Sequence, residues 1–259
     1  MCSVILLRRP GATWPLVVGA NRDEMAGRPW KAPARHWPDR PNLVAGLDEL
    51  AGGSWLGLND EGLVAGILNR HGTLGPETGK RSRGELVLDA LDHADALDAA
   101  RSLADLDTRA YRPFNLVLAD NRDAYLLSHR GPSARNRPEV IAIPEGVHMI
   151  TAFDLDDEAE DSRIALYRPL FAHAEPPTTG AEDAAAFGWG GWPELLGSRI
   201  WEGERGERGA MDFRLPMGFG TVSSALIALP SAERPELDPI WHFAAGRPHE
   251  TPFVPVALD

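Results

Sequence analysis

Cys2-Ser-Val-Ile-Leu-Leu-Arg8, followed after a short gap by Pro15-Leu-Val-Val-Gly-Ala-Asn21, decides the fold. The first run is apolar on both faces, the pattern of a strand whose sheet is sandwiched between two other layers, and it predicts a central strand. The second is rich in Leu and Val. Pro10-Gly-Ala-Thr-Trp14 supplies the turn between them, so the two form an antiparallel hairpin. Centring its loop on Ala12 pairs residue 2 with residue 22. That register sets Asn21, Arg22 and Asp23 beside Cys2.

Beyond the hairpin, residues 25 to 42 are rich in Pro, Arg and Trp without periodicity, which predicts a surface-crossing loop of the kind that borders sites. A second hairpin is expected from Ser54–Leu58 and Leu63–Asn69 around Asn59-Asp-Glu-Gly62. Ser82-Arg-Gly-Glu85 has the form of a capping box, and Leu86, Val87, Leu88, Ala90, Leu91 and Ala94 follow at helical spacing. A long helix or a helix pair should run to about Leu106. Strands are expected again at Asn115–Ala119, Ala124–His129, Val140–Ile143 and Val147–Thr151, as an antiparallel meander. Segments 159 to 174 and 181 to 199 look helical, with Pro169 and Pro193 kinking or interrupting them. Thr221–Leu229 and Ile240–Ala244 close the chain as strands. This order fits two antiparallel sheets with helices outside, in a single domain over residues 1–259, rather than a doubly wound parallel sheet.

Composition narrows the function classes. The chain has 259 residues, 43% hydrophobic and 25% charged, enough for a core without staples. Its 26 glycines and 22 prolines point to many turns between short elements. A net charge of −12 opposes nucleic acid and anionic membrane as partners, because both need a basic face. No apolar run approaches the roughly 20 residues of a membrane span, and no basic n-region precedes Val4–Leu7. A soluble, cytoplasmic protein is expected. The single cysteine excludes an internal disulfide.

That cysteine carries the chemistry. Removal of an initiator methionine requires a small second residue, and cysteine qualifies, so the mature chain should begin with Cys2 and a free α-amine. A free α-amine titrates near ~7.7–8.0 and a thiol near ~8.5, so the amine can take the thiol proton at neutral pH with little penalty. Asp23 across the hairpin would hold the resulting ammonium, and Asn21, on the same strand face, would donate to substrate. Arg22 points the other way in an ideal strand, and only a bulge or a wide strand end lets it stabilise a thiolate. A plainer reading competes. A free cysteine near the end of a buried strand is often simply a small apolar residue, and position 2 alone favours that account. Likewise, Asn21-Arg-Asp-Glu24 alone fits a solvated strand end with a local ion pair. Their adjacency to Cys2 favours a site.

Cys2, Ala20-Asn-Arg-Asp-Glu24, Arg28-Pro29, Gly52-Gly-Ser-Trp-Leu-Gly57, Asn69, Arg83-Gly-Glu-Leu-Val87 and Pro113-Phe-Asn-Leu-Val-Leu-Ala-Asp120 together resemble the NRDE family, also called the transport and Golgi organisation protein 2 family. These motifs are dense over the first 120 residues and sparse afterwards. The family is similar to cysteine amino-terminal-nucleophile (Ntn) hydrolases of the choloylglycine hydrolase and penicillin V acylase type. The resemblance therefore implies an α+β fold, a four-layer αββα sandwich of two antiparallel sheets. It implies Cys2 as nucleophile, Asp23 as the amine partner and Asn69 as an oxyanion-hole residue. Three positions depart from the acylase pattern. Ala20 stands where those acylases carry an arginine, Thr151 and Ala152 where an asparagine is expected, and Val222 where a late arginine is frequent.

Other signals carry less. Ser54 misses the spacing of a serine-hydrolase elbow. The eight histidines show no metal-ligand spacing, and His71 alone falls close to a candidate residue in sequence. Asp154–Asp161 lacks the glycine turn of a calcium loop and fits a solvated turn. Gly188-Trp-Gly-Gly-Trp192 fits either a mobile aromatic lid or core-edge packing. Two functions follow. One is a thiol amidohydrolase or acyltransferase that acts on a small acyl or amide substrate and needs no cofactor. The other, implied by the resemblance, is a non-catalytic carrier of haem or of lipid or acyl-CoA, with Cys2 as a ligand or pocket wall.

Overall fold

In a computed structural model describing residues 2–132, 136–175, 177 and 188–259, β1 (Ser3–Arg8) and β2 (Leu16–Met25) form the expected hairpin. Ser3 lies opposite Asn21 and Arg8 opposite Leu16, the register obtained by centring the loop on Ala12. Both strands are interior. The sheet order is β10-β1-β2-β11-β12-β13, formed with β10 (Gly146–Ile150), β11 (Phe219–Leu229), β12 (Ile240–Ala244) and β13 (Val254–Pro255). Val4, Ile5 and Leu6 are buried, as an apolar run on both faces requires.

This sheet belongs to one of two compact units, built from Met1–Gly27 and Glu145–Ala257. Among the described residues its α-helices are α3 (Ser162–His173) and α4 (Trp192–Leu196). Ile5, Val17, Met149 and Leu226 from the strands pack with Ile164, Tyr167 and Phe171 of α3 and with Trp192 and Leu196 of α4. Pro169 sits inside α3 without ending it. The helix expected over 181 to 199 is reduced to α4, where Pro193 occupies the first turn; residues 181–187 of that expectation lie outside the described residues. Trp189 and Trp192 belong to the core cluster, which decides for packing over a lid. The acidic run is only partly a solvated turn. Asp156 binds His148 and the Met149 N–H, and Asp161 is fully buried at the start of α3.

The other unit comprises Arg28–Pro144 and Leu258–Asp259. Its sheet runs in sequence order through β3 (Trp30–Ala34), β4 (Leu43–Asp48), β5 (Leu56–Asn59), β6 (Val64–Asn69), β7 (Phe114–Ala119), β8 (Ala124–His129) and β9 (Glu139–Ala142). Here α1 (Glu85–Leu91) and α2 (Ala96–Leu103) pack with Leu43, Leu63, Phe114 and Leu116. Three expectations change. The segment 25 to 42 is not all loop, because it holds β3, an edge strand with irregular pairing. The capping box does not form. Gly84 is the cap residue without a side-chain bond, Ser82 Oγ accepts from the Gly84 N–H, and Glu85 instead binds Arg81. The meander ends at β9, and β10 joins the other sheet beside β1.

Both sheets are antiparallel and carry helices, so the α+β class holds. Two of the family-like motifs pack on each other. The Ser54 N–H donates to the Gly84 carbonyl at 3.1 Å, and a Cβ on Gly53 would stand 2.4 Å from the Gly84 carbonyl carbon. Backbone cannot yield there as a side chain can. Gly53→Ala is expected to cost about 1–3 kcal/mol through overpacking, read as a lowered denaturant midpoint at unchanged slope.

Candidate active site at the amino terminus

Cys2 immediately precedes β1, and the hairpin register extends it toward Arg22 and Asp23. Cys2 is half-buried as a residue, and its Sγ donates a long hydrogen bond, 3.8 Å, to the Asp23 carbonyl oxygen. The thiol is pushed above its ordinary value, first by burial and then by the Asp23 carboxylate. The amino terminus, the Asp23 backbone bond and the Arg22 guanidinium oppose this. A thiol so held stays protonated at neutral pH unless a base lies close enough to take its proton.

The Asp23 side chain is wholly buried, and both carboxylate oxygens are held. Thr221 Oγ1, from the facing strand β11, donates to Oδ1 at 2.8 Å. Arg163 Nη1, from the first turn of α3, donates to Oδ2 at 3.1 Å. The same nitrogen donates to Ser3 Oγ at 2.9 Å, and Nη2 donates to the Arg208 carbonyl at 2.6 Å. Asp161 caps α3 by accepting from the Arg163 N–H at 3.0 Å, and it also binds Thr151 and Arg205. A buried charge is tolerated only with such partners, and here carboxylate and guanidinium satisfy each other.

Asn21 requires a correction. It was expected to donate to substrate, but its two amide hydrogens are taken by the carbonyls of Leu196 at 2.9 Å and Met211 at 3.0 Å. Its Oδ1 accepts from Ser224 Oγ at 2.6 Å. Asn21 is therefore a strut joining β2 to α4 and β11. Arg22 lies where the pairing shifts between Thr221 and Ser223, so Val222 is the extra residue of a bulge. The bulge lies in β11, whereas the β1–β2 pairing is regular. Extended by one step, that pairing sets Arg22 directly opposite Cys2 on the same face, so Arg22 needs no bulge for its charge to favour the thiolate.

Asn69 ends β6 in the other unit and is half-buried, while His71 beyond it is exposed. The oxyanion role of Asn69 rests on the resemblance alone. Thr151, where the acylase pattern has an asparagine, is buried and donates its hydroxyl to Asp161. Arg163 and Thr221 were not singled out from the sequence. The one signal near Arg163 is Asp161 as a helix cap, and it says nothing about which strand α3 packs on. No group of residues able to hold a metal ion occurs among the described residues. No helix there is long and apolar enough to cross a membrane.

A family model described as Transport and Golgi organisation 2 matches residues 1–166. Among solved structures, an N-acylethanolamine-hydrolyzing acid amidase ortholog from Caenorhabditis elegans superposes with a TM-score of 0.56 at 14% identity, covering 87% of this chain and 92% of its own. A conjugated bile acid hydrolase variant from Clostridium perfringens does so with a TM-score of 0.50 at 10% identity, covering 99% and 97%. At these identities the likeness establishes the fold, which is that of the Ntn hydrolases. No curated protein sequence gives a significant match.

Proposed function

The chain belongs to the Transport and Golgi organisation 2 family, and from that premise we propose that it is an Ntn acyl-transfer enzyme, an amide hydrolase or acyltransferase acting through Cys2. The observation that carries this reading is the array at the amino terminus. The only cysteine stands at the end of an interior strand, its Sγ bonded to the main-chain carbonyl of Asp23, whose own carboxylate is buried and doubly held.

In a chain initiated at Met1, removal of that residue transfers the free α-amine to Cys2 itself. The amine then takes the thiol proton as Sγ attacks the acyl carbon and a carbon–sulfur bond forms. The carbonyl oxygen becomes an oxyanion. Its collapse expels the amine leaving group, which takes the proton back from the α-ammonium and leaves a thioester on Cys2. Water or an acceptor nucleophile, deprotonated by the same amine, attacks the thioester and releases the acyl group. Asp23 faces the ammonium formed in each half-reaction, and Arg22 adds positive charge near the thiolate.

Purified protein is expected to lack Met1, so its intact mass should fall one methionine residue short of the encoded chain. A preparation in which every molecule retains methionine contradicts the mechanism while leaving the fold untouched.

A further inference from the structure

We propose that Arg163 is a positioning residue for this nucleophile: its buried guanidinium locks the Asp23 carboxylate and the Ser3 hydroxyl into one array beside Cys2 and cancels the carboxylate's charge there. The inference rests on the acyl-transfer reading and adds to it a residue from a distant helix. Arg163 and Asp23 are both completely shielded from solvent, and their 3.1 Å contact joins residues 140 positions apart. Arg163 reaches Ser3 and Asp23 with one nitrogen and the Arg208 carbonyl with the other, while its guanidinium carbon stands 5.3 Å over the Phe213 ring. The Asp161 carboxylate holds the Arg163 backbone N–H and carries Arg205 as its own counter-charge. Asp161 is therefore paired elsewhere, and the Arg163 charge is directed at Asp23.

The consequence for chemistry is one of charge balance. The charges acting on the Cys2 thiol are the Asp23 carboxylate, the amino terminus and the Arg22 guanidinium, with Arg163 of α3 bonded to that carboxylate. A lone buried carboxylate beside an α-amine would hold it as ammonium and make it a poor base at neutral pH. The same carboxylate would disfavour the thiolate. A paired carboxylate still accepts a hydrogen bond and orients the amine, but exerts far less field on it. Arg163 thus keeps Asp23 useful as an acceptor without letting it disable the base.

The test is the pH dependence of Cys2 alkylation by iodoacetamide, which reads the amino-terminal environment whether or not any acyl substrate is turned over. Loss of a positive charge raises the proton affinity of every group that senses it. Arg163→Met should therefore move the rising limb of the alkylation profile upward by about one pH unit or more. Arg163→Lys should keep the wild-type limb. Asp23→Asn should move it downward, and Asp23→Asn combined with Arg163→Met should bring it back up toward wild type. The last pair does not depend on Arg163→Met folding alone, because the double variant leaves neither charge unpaired. Superimposable limbs in Asp23→Asn and the double variant would overturn the proposal and reduce Arg163 to a structural tie. Limbs that move as stated in a protein that never acylates Cys2 would sustain the charge balance and remove the acyl-transfer reading instead.

Discussion

Inserting one alanine between Met1 and Cys2 is expected to abolish acyl transfer, a loss of at least 100-fold on the scale of general-base catalysis, ~10²–10⁴. The insertion keeps the thiol, the Asp23–Arg163 pair and every core contact. It converts the Cys2 nitrogen into a peptide nitrogen, which cannot take a proton at neutral pH. The nucleophile stays and its base disappears. Stability should hardly change, because one more residue ahead of β1 removes no packing. A protein that used Cys2 only to bind haem or to line an acyl pocket would keep most of its affinity after the insertion and lose it in Cys2→Ala. Turnover, haem binding and melting temperature of the two variants therefore separate the catalytic account from the carrier account. Wild-type turnover by an extended chain whose mass confirms the retained alanine would end the amine-as-base mechanism.

Trp192→Ala should be strongly destabilising to the unit that holds the nucleophile. Trp192 is fully buried, meets Phe171 edge-on at 5.1 Å between ring centroids, and leaves so little room over β2 that a Cβ on Gly19 would stand 3.1 Å from its ring. Removing a buried indole costs about 3–5 kcal/mol, from lost transfer energy and the cavity left behind. The same core carries Leu196, whose carbonyl holds Asn21 one residue from Arg22. Cys2 alkylation should therefore become less dependent on pH as the array loosens. Chemical denaturation followed by tryptophan fluorescence checks the first effect. A change below about 1 kcal/mol would restore the lid reading of Gly188–Trp192.

The hairpin that positions Cys2 was legible because two signals agreed. An apolar run on both faces marks a covered strand, and a turn centred on Ala12 leaves a single register that keeps every side chain on its face. The strand pairing of Leu56–Asn59 with Val64–Asn69 and of β7 with β8 was legible for the same reason, since turn residues lie symmetrically between apolar runs. Local signals failed where partner choice is non-local. Pro144-Glu-Gly146 looks like a hairpin turn, yet the strands flanking it join different sheets. Ser82 and Glu85 have capping-box spacing, but Gly84 must lie flush against Gly53, so the helix starts later and Glu85 turns to Arg81. β3 went unread because Pro33 and exposed positions break its alternation, as an edge strand permits.

The site divides in the same way. Cys2, Arg22 and Asp23 are brought together by one hairpin, whose register is readable from a single local stretch. Arg163 and Thr221 come from α3 and β11, which no local pattern ties to β1. Asn21 departs from its sequence reading for an opposite reason. Its polarity beside a nucleophile suggested substrate, whereas burial under α4 commits both its hydrogens to carbonyls. Several family-like motif positions share this character. Gly53, Ser54, Gly57 and Gly84 serve close packing and local backbone bonds rather than chemistry.

The most direct test of the account is intact-mass analysis after incubation with an activated acyl ester, followed by peptide mapping of the adduct. The account predicts one acyl group per chain, located on Cys2 of molecules that lack Met1, formed at neutral pH and released by hydroxylamine as a thioester is. An adduct confined to lysines, or an unmodified Cys2 in chains that have lost Met1, would contradict it.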